Sequence, residues 1–262
     1  MTTQDLHARL QFAQDLARQC GALALKESLA LQVSAKGAHD VLTQTDLAVE
    51  AKIRDAVAQA FPQDRVVGEE MGGQEGLDVL QDFWLVDPID GTANYATGIP
   101  RWCISIGFLR GGQPVLGVIF DPTQNRMYAA LQGAGATLNG EPIRARTTRG
   151  LAGATIEMGW SARLPSAPYV DAVAAVFTSG GQAVRRGSGA LGLCDVAAGR
   201  IDGYGELHIN AWDCAAGNLL VLEAGGRVND FFTPQGIRQG GLLVAAAHGV
   251  YDELHVLMQT NH

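Results

Sequence analysis

The segment Phe83-Trp84-Leu85-Val86-Asp87-Pro88-Ile89-Asp90-Gly91-Thr92 is an apolar run that ends in acids. Read as a buried strand, it delivers Asp87 at its end. Pro88 removes a backbone donor and bends the chain, which can turn the Ile89 carbonyl and the carboxylates of Asp87 and Asp90 towards one point. A hard, oxygen-binding cation requires that convergence. Gly91 permits a ligand to approach the backbone, and Thr92 offers a hydroxyl that can orient a water. If the amides after Asp90 open a helical turn, they present free N–H groups to a phosphate. For such a string alone, a plain Asp-Pro turn with an Asx cap is an equal reading.

Three further acid positions shift that balance. Gly68-Glu69-Glu70 follows a short apolar run, and Thr43-Gln44-Thr45-Asp46 precedes a helical pattern. Trp212-Asp213-Cys214-Ala215-Ala216-Gly217 opens a second helical pattern, which ends in Glu223-Ala224-Gly225-Gly226. Several carboxylates converging on one cleft repel one another, so the cluster makes sense with divalent cations to neutralise it. The alternative for Asp46 is helix capping, and Glu70 reads as an exposed neighbour of Glu69.

These strings, with Lys36-Gly37-Ala38-His39-Asp40-Val41-Leu42-Thr43-Gln44-Thr45-Asp46 ahead of them, resemble the inositol monophosphatase family over most of the chain. The resemblance implies an α+β fold, a layered α-β-α-β-α sandwich of the inositol monophosphatase and fructose-1,6-bisphosphatase type. It implies a Mg²⁺-dependent, Li⁺-sensitive phosphatase with two to three ions per site. Glu69, Asp87 and the Ile89 carbonyl would hold the first ion; Asp87, Asp90 and Asp213 would hold the second. Asp46, Thr92 and Glu69 form the implied catalytic set, with Asp46 and Thr92 activating the attacking water. Phosphate and substrate would meet Gly91, Thr92, Ser188, Gly189, Glu206 and Asp213. Metal-activated attack by water on a small phosphate monoester then follows, with no covalent phosphoenzyme required.

The alcohol half of the substrate is less determined. Glu206, seven residues before Asp213, matches the acid that inositol-specific relatives use to bind substrate hydroxyls, which favours inositol monophosphate or a related polyol phosphate. Gly189 stands where relatives usually carry alanine, and His208 and Asn210 allow a different pocket; histidinol phosphate is the alternative substrate. His39 and His208 read as surface or structural histidines. A haloacid-dehalogenase phosphatase needs one residue between its two acids, whereas Asp87 and Asp90 have two. A noncatalytic metal or sugar-phosphate binding protein would not need the Asp46–Thr92 pair.

The elements that must position these residues follow from periodicity. Apolar residues recur at helical steps from about Asp5 to Leu31, and a second helix is expected over Asp46–Ala60 with Thr45 as N-cap. Strands are expected at Arg65–Val67, Phe83–Val86, Trp102–Leu109, Pro114–Phe120 and Arg126–Leu131. In the second half, strands at Thr155–Met158, Ile201–Tyr204, Arg227–Asp230 and Leu242–Ala246 alternate with helices near Tyr169–Phe177, Ala190–Ala198 and Asp213–Ala224, before a closing helix. The basic stretch Arg144–Gly150 suggests two subdomains, 1–146 with most metal ligands and 147–262 with Asp213 and the substrate pocket.

A chain of 262 residues with 47% hydrophobic content and 33 glycines suits a loop-rich folded enzyme. Its formal charge of −8 argues against nonspecific nucleic-acid binding, which needs a basic face. The opening residues lack a secretory signal pattern and no window reaches membrane-spanning length, so a cytoplasmic protein without membrane contact is expected. The partner is a small-molecule phosphate ester, and the resemblance adds a homodimer. Cys20, Cys103, Cys194 and Cys214 are too scattered for a zinc site or disulfide framework, and Cys214 reads as an apolar filler.

Overall fold

The computed structural model describes residues 3–28, 33–37 and 40–260, and for 33–37 and 40–43 the backbone path only. Helix α1 (Thr3–Glu27) is followed by the hairpin β1 (Val33–Gly37) and β2 (Asp40–Thr43), then α2 (Gln44–Ala60), β3 (Arg65–Gly68) and β4 (Phe83–Asp90). A short α3 (Thr92–Thr97) leads into β5 (Cys103–Arg110), β6 (Gln113–Asp121), β7 (Arg126–Leu131), β8 (Gly135–Leu138) and β9 (Glu141–Pro142). The second half runs β10 (Thr155–Met158), α4 (Ser166–Thr178), β11 (Gln182–Val184), α5 (Gly189–Ala197), β12 (Gly203–Ile209) and α6 (Ala211–Glu223). It closes with β13 (Arg227–Val228), α7 (Pro234–Gln239), β14 (Gly241–Ala246) and α8 (Tyr251–Thr260).

Strands β3 to β9 form one sheet in sequence order, with β3 and β4 parallel and the remaining neighbours antiparallel. The second sheet has the order β11-β10-β12-β14-β13. Side chains alternate across a strand, and this alternation separates the layers. Trp84, Val86, Ile104, Ile106, Phe108 and Val118 pack with α1 and α2, whereas Phe83, Leu85, Ile119 and Tyr128 pack with α5 and α6. Each large apolar side chain fully buried in this way contributes about 1.5–3 kcal/mol. Tyr204, Ile209 and Leu243 of the second sheet close over α5 and α6, and its other face packs Ile156 and Val244 against α4 and α8. The result is the expected five-layer α-β-α-β-α sandwich.

Helix α6 lies against the first sheet with almost no side-chain spacer. A Cβ on Gly107 would come within 2.9 Å of the Ala215 Cβ, and one on Gly117 within 2.7 Å of the Ala216 carbonyl oxygen. The small residues of both elements permit this approach, which carries the N-terminus of α6 up to the end of β4.

Several sequence expectations are corrected. The strand expected at Ile201–Tyr204 is β12, Gly203–Ile209, because β10 and β14 flank it on both sides and supply ladder partners through Glu206. Thr45 lies inside the first turn of α2, not at its N-cap, and its hydroxyl accepts a hydrogen bond from Tyr95 Oη at 3.2 Å. Helix α6 begins at Ala211 with Asn210 as N-cap, so Asp213 is its third residue. Helix α1 ends at Glu27; Leu31 and His39 lie outside the described residues, as does the side chain of Lys36.

Candidate functional site

Pro88 cannot extend the β4–β5 ladder, and the register shifts between Asp87, opposite Ser105, and Asp90, opposite Cys103. One extra residue on β4 forms a bulge, the device by which a strand re-aims side chains at its end. Gly91 then takes φ 95° before α3, a left-handed conformation that glycine adopts without strain. The expected helical turn after Asp90 is therefore present.

Glu69, Asp87 and Asp213 come together from β3's end, the β4 bulge and the first turn of α6. Each offers a carboxylate oxygen, and the three atoms lie within 4.8 Å of one another. Burial first, then the charges of Glu69, Asp90, Asp213 and Asp46, push the Asp87 carboxyl well above the usual range. Asp213 is pushed up to about 8 by burial, Asp90 and Glu206. Oxygen donors crowded against like charge in a buried setting fit a divalent cation: the donor type is right, and the repulsion is what such an ion offsets.

Thr92 Oγ1 lies 2.9 Å from the Ile89 carbonyl oxygen and 3.2 Å from Asp46 Oδ1. The hydroxyl can donate to one of these at a time, and Asp46 is almost fully buried. Asp90 lies outside that group of three and is bonded at the N-terminus of α5, while its charge still raises Asp87 and Asp213. Its carboxylate accepts from the Ser188 hydroxyl, from the backbone N–H of Gly189 at 3.2 Å and from that of Ala190 at 3.0 Å. The Cys103 thiol is also 3.6 Å from Asp90 Oδ2. Burial raises the Asp90 carboxyl, and these four donors partly offset the rise. Of the cysteines, Cys103 touches the acids directly, while Cys214 is a buried thiol bonded to the Asn210 carbonyl at 3.3 Å.

Sequence reasoning missed the residues that hold these groups in place. Glu50, fully buried on α2, accepts the backbone N–H groups of Glu70 at 2.8 Å and Met71 at 3.1 Å, and Arg54 one turn on pairs with it at 2.8 Å. Arg54 also donates to the carbonyls of Val66 and Gly72. The loop that carries Glu69 is thereby fixed from both ends, and Gly68 is required because a Cβ there would meet the Glu50 carboxylate at 2.3 Å. The i,i+4 spacing of Glu50 and Arg54 was the available signal. Glu70 is half-buried, not the exposed neighbour expected.

A second network holds the loop before α5. Arg101 and Arg186 both pair with Glu157 and Asp195, and Arg200 joins at Asp195. Asn94 donates to the carbonyls of Arg101 and Arg186 at 2.8 Å each. These residues are spread over a hundred positions, so no local pattern announces them.

The acids form one wall of a cavity of about 380 Å³, whose lining includes Ile89, Gly91, Thr92, Ser188 and Gly189. Trp160, Arg163, Arg185, Tyr204, Glu206 and His208 line the rest. Glu206 accepts from the Tyr204 hydroxyl at 2.5 Å, and burial raises its carboxyl to about 7. The glycine at 189 has a local cause: an added Cβ would stand 3.0 Å from the Tyr204 hydroxyl. His208, on β12, is bonded through Nε2 to the Gln239 carbonyl at 3.0 Å.

A five-layer sandwich with carboxylates gathered at a strand bulge and a helix start is an arrangement that could hold a metal ion. The family model for the inositol monophosphatase family matches residues 5–261, and the chain belongs to that family. It is 39% identical over 232 residues to the Nus factor SuhB of Escherichia coli K12, covering 86% of each chain. The structure of an inositol monophosphatase from Anabaena (Nostoc) sp. PCC 7120 is similar with TM-score 0.85 and 32% identity, over 98% of this chain and 97% of that one. The extragenic suppressor protein suhB of Bartonella henselae gives TM-score 0.86 and 31% identity, over 96% and 98%.

Proposed function

We propose that this protein hydrolyses a small phosphate monoester in a Mg²⁺-dependent reaction, with inositol monophosphate or a related polyol phosphate as substrate. The observation that carries this reading is the gathering of Glu69, Asp87 and Asp213 oxygens within 4.8 Å beside the bonded Asp46–Thr92 pair. Glu69, Asp87, the Ile89 carbonyl, Asp90 and Asp213 would hold two to three ions. Bound there, the ions would supply positive charge that acidifies a water and offsets charge on the departing oxygen.

The chain's own residues do the rest. Thr92, donating its proton to Asp46, keeps a lone pair to accept a hydrogen bond from the attacking water and aim it. The backbone N–H groups at Gly91 and Thr92 bind the phosphate oxygens. Asp90 fixes the start of α5, and with it Ser188 and Gly189 at the edge of the substrate. Glu206 accepts hydrogen bonds from substrate hydroxyls when ionised. The homodimer, Li⁺ inhibition, cytoplasmic location and division into 1–146 and 147–262 belong to the same proposal. Among the described residues, no helix is long and apolar enough to cross a membrane.

The test is phosphate release from inositol 1-phosphate, glucitol 6-phosphate and histidinol phosphate with Mg²⁺ and with EDTA. Release from the polyol esters, abolished by EDTA, is expected. Release that persisted in EDTA or in a folded Asp90→Asn chain would overturn the metal reading, and histidinol phosphate as much the best substrate would replace the polyol.

A second, transcription-related role is favoured by the 39% identity to a protein named a Nus factor. The charge of −8 makes a protein-borne contact the way to reconcile that role with weak affinity for bare nucleic acid. Capture of RNA polymerase by an Asp87→Asn chain, undiminished by nuclease, is the expected result; no capture removes this reading.

A further inference from the structure

Three parallel strands, β10, β11 and β12, or the chain leaving them, contribute residues to the lining of the cavity. β10 pairs with β11, Glu157 opposite Val184, and on its other side with β12, Met158 opposite Gly205. The chain leaving β10 turns through Ser161 to Arg163, the chain leaving β11 begins with Arg185, and Glu206 follows Gly205 on β12. The carboxyl ends of parallel strands are where such sheets receive ligands. Arg163 and Arg185 accordingly line the same cavity as Glu69, Asp87 and Asp213.

These two arginines differ from those around them. Arg101, Arg186 and Arg200 are committed to Glu157 and Asp195. Arg163 and Arg185 are exposed and have no carboxylate within 4.0 Å among the described residues. Arg185 sits 5.6 Å over the Trp160 ring, which limits its directions, and Arg163 Nη1 has a long 3.4 Å contact with Ser161 Oγ. Glu206, an acid of the same cavity, is bonded to Tyr204 instead. Both cations nevertheless lower the Glu206 carboxyl. Guanidinium groups present a planar fork suited to phosphate or carboxylate.

We propose that Arg163 and Arg185 form a second anion subsite, which binds a negative group of the substrate remote from the phosphate that is cleaved. This rests on the phosphatase reading and narrows its substrate class to polyol phosphates bearing a second phosphate or a carboxylate. The acid wall takes the phosphate with its cations, the arginine wall takes the far anion, and Glu206 between them takes hydroxyls.

The test compares glucitol 6-phosphate, glucitol 1,6-bisphosphate and 6-phosphogluconate with Mg²⁺ present. The first has no second anion, and the other two distinguish phosphate from carboxylate as its source. Wild type is expected to favour at least one of the charged pair by about tenfold or more in kcat/KM, mainly through KM. Arg163→Ala and Arg185→Ala should each reduce that ratio, the double variant should bring it close to one, and the lysine variants should recover part of it. No preference in wild type, or a uniform fall with all three esters in the alanine variants, overturns the subsite. If no ester is hydrolysed, the phosphatase reading fails separately. Equilibrium binding of the same three compounds then decides the subsite, and equal affinities in wild type overturn it.

Discussion

The two walls of the cavity solve the problem of buried charge in opposite ways. On the wall built by the first sheet and α6, Glu69, Asp87 and Asp213 crowd together, and burial and mutual repulsion raise Asp87 and Asp213. Glu157 on the second sheet and Asp195 on α5 are both buried, and each is matched by arginines. Arginine pairs hold the acids on one side, and burial and like charge raise Asp87 and Asp213 on the other; that contrast marks where added cations belong.

Breaking the acid wall should have the largest effect. Asp87→Asn is expected to lower Mg²⁺-dependent phosphate release by about 10²–10³-fold or more. The same change should raise the melting temperature of the metal-free protein, because it removes a repelled charge; a lower metal-free Tm would remove the repulsion argument. Thr92→Val, which keeps shape but loses the hydroxyl bonded to Asp46, should cost about 10²-fold in kcat with a smaller change in KM. Equal activity would exclude Thr92 from water alignment.

Glu50→Gln probes the support beneath the acid wall. Gln retains one acceptor oxygen but loses the charge facing Arg54, so the loop carrying Glu69 loosens and the Mg²⁺ requirement should rise about 10–100-fold. Titration of activity against Mg²⁺ checks this, and an unchanged half-saturation point contradicts it.

The pH response sharpens the comparison further. Asp213 rises from the ordinary carboxylate range to about 8 in the folded state, so the metal-free native protein holds a proton there that the unfolded chain releases near pH 4. Its stability should therefore fall as pH rises from about 4 to 8. Mg²⁺ displaces these protons, so its affinity and its stabilising Tm shift should grow over the same window. Differential scanning calorimetry at pH 5 and 8, with and without Mg²⁺, reads both; a larger Mg²⁺ shift at pH 5 contradicts the assignment. The smallest effect is expected of Gly189→Ala, whose methyl would lie 3.0 Å from the Tyr204 hydroxyl. Tyr204 must shift slightly, at about 1–3 kcal/mol of stability, and KM for polyol esters should change more than kcat. A change confined to kcat would place the effect outside the substrate pocket.

Legibility in the sequence followed the range of the interactions. Helices α1 and α2 and the antiparallel run β5 to β7 were readable because their periodicity is local. The bulge at Asp87–Asp90 was foreseeable from Pro88 and Gly91, which restrict the backbone within a few residues. β12 was cut short because Gly203, Gly205 and Glu206 have little intrinsic strand preference and are held by neighbours from distant sequence. Glu50 was overlooked because an acid on an amphipathic helix ordinarily faces water. Only the fold shows that this one is fully buried beneath Glu69.

What the sequence determined by itself is which groups can do chemistry: acids at element ends, a proline and a glycine that bend the strand, and a hydroxyl beside them. Those properties are covalent or nearly so, and they survive without tertiary contacts. Only the tertiary structure decided which groups share a cavity, because Glu69, Asp87 and Asp213 meet only when α6 lies against the first sheet on Gly107 and Gly117. It likewise decided which charges are already paired. An arginine's partners depend on packing across a hundred residues, so Arg186 and its neighbour Arg185, identical in chemistry, face different groups.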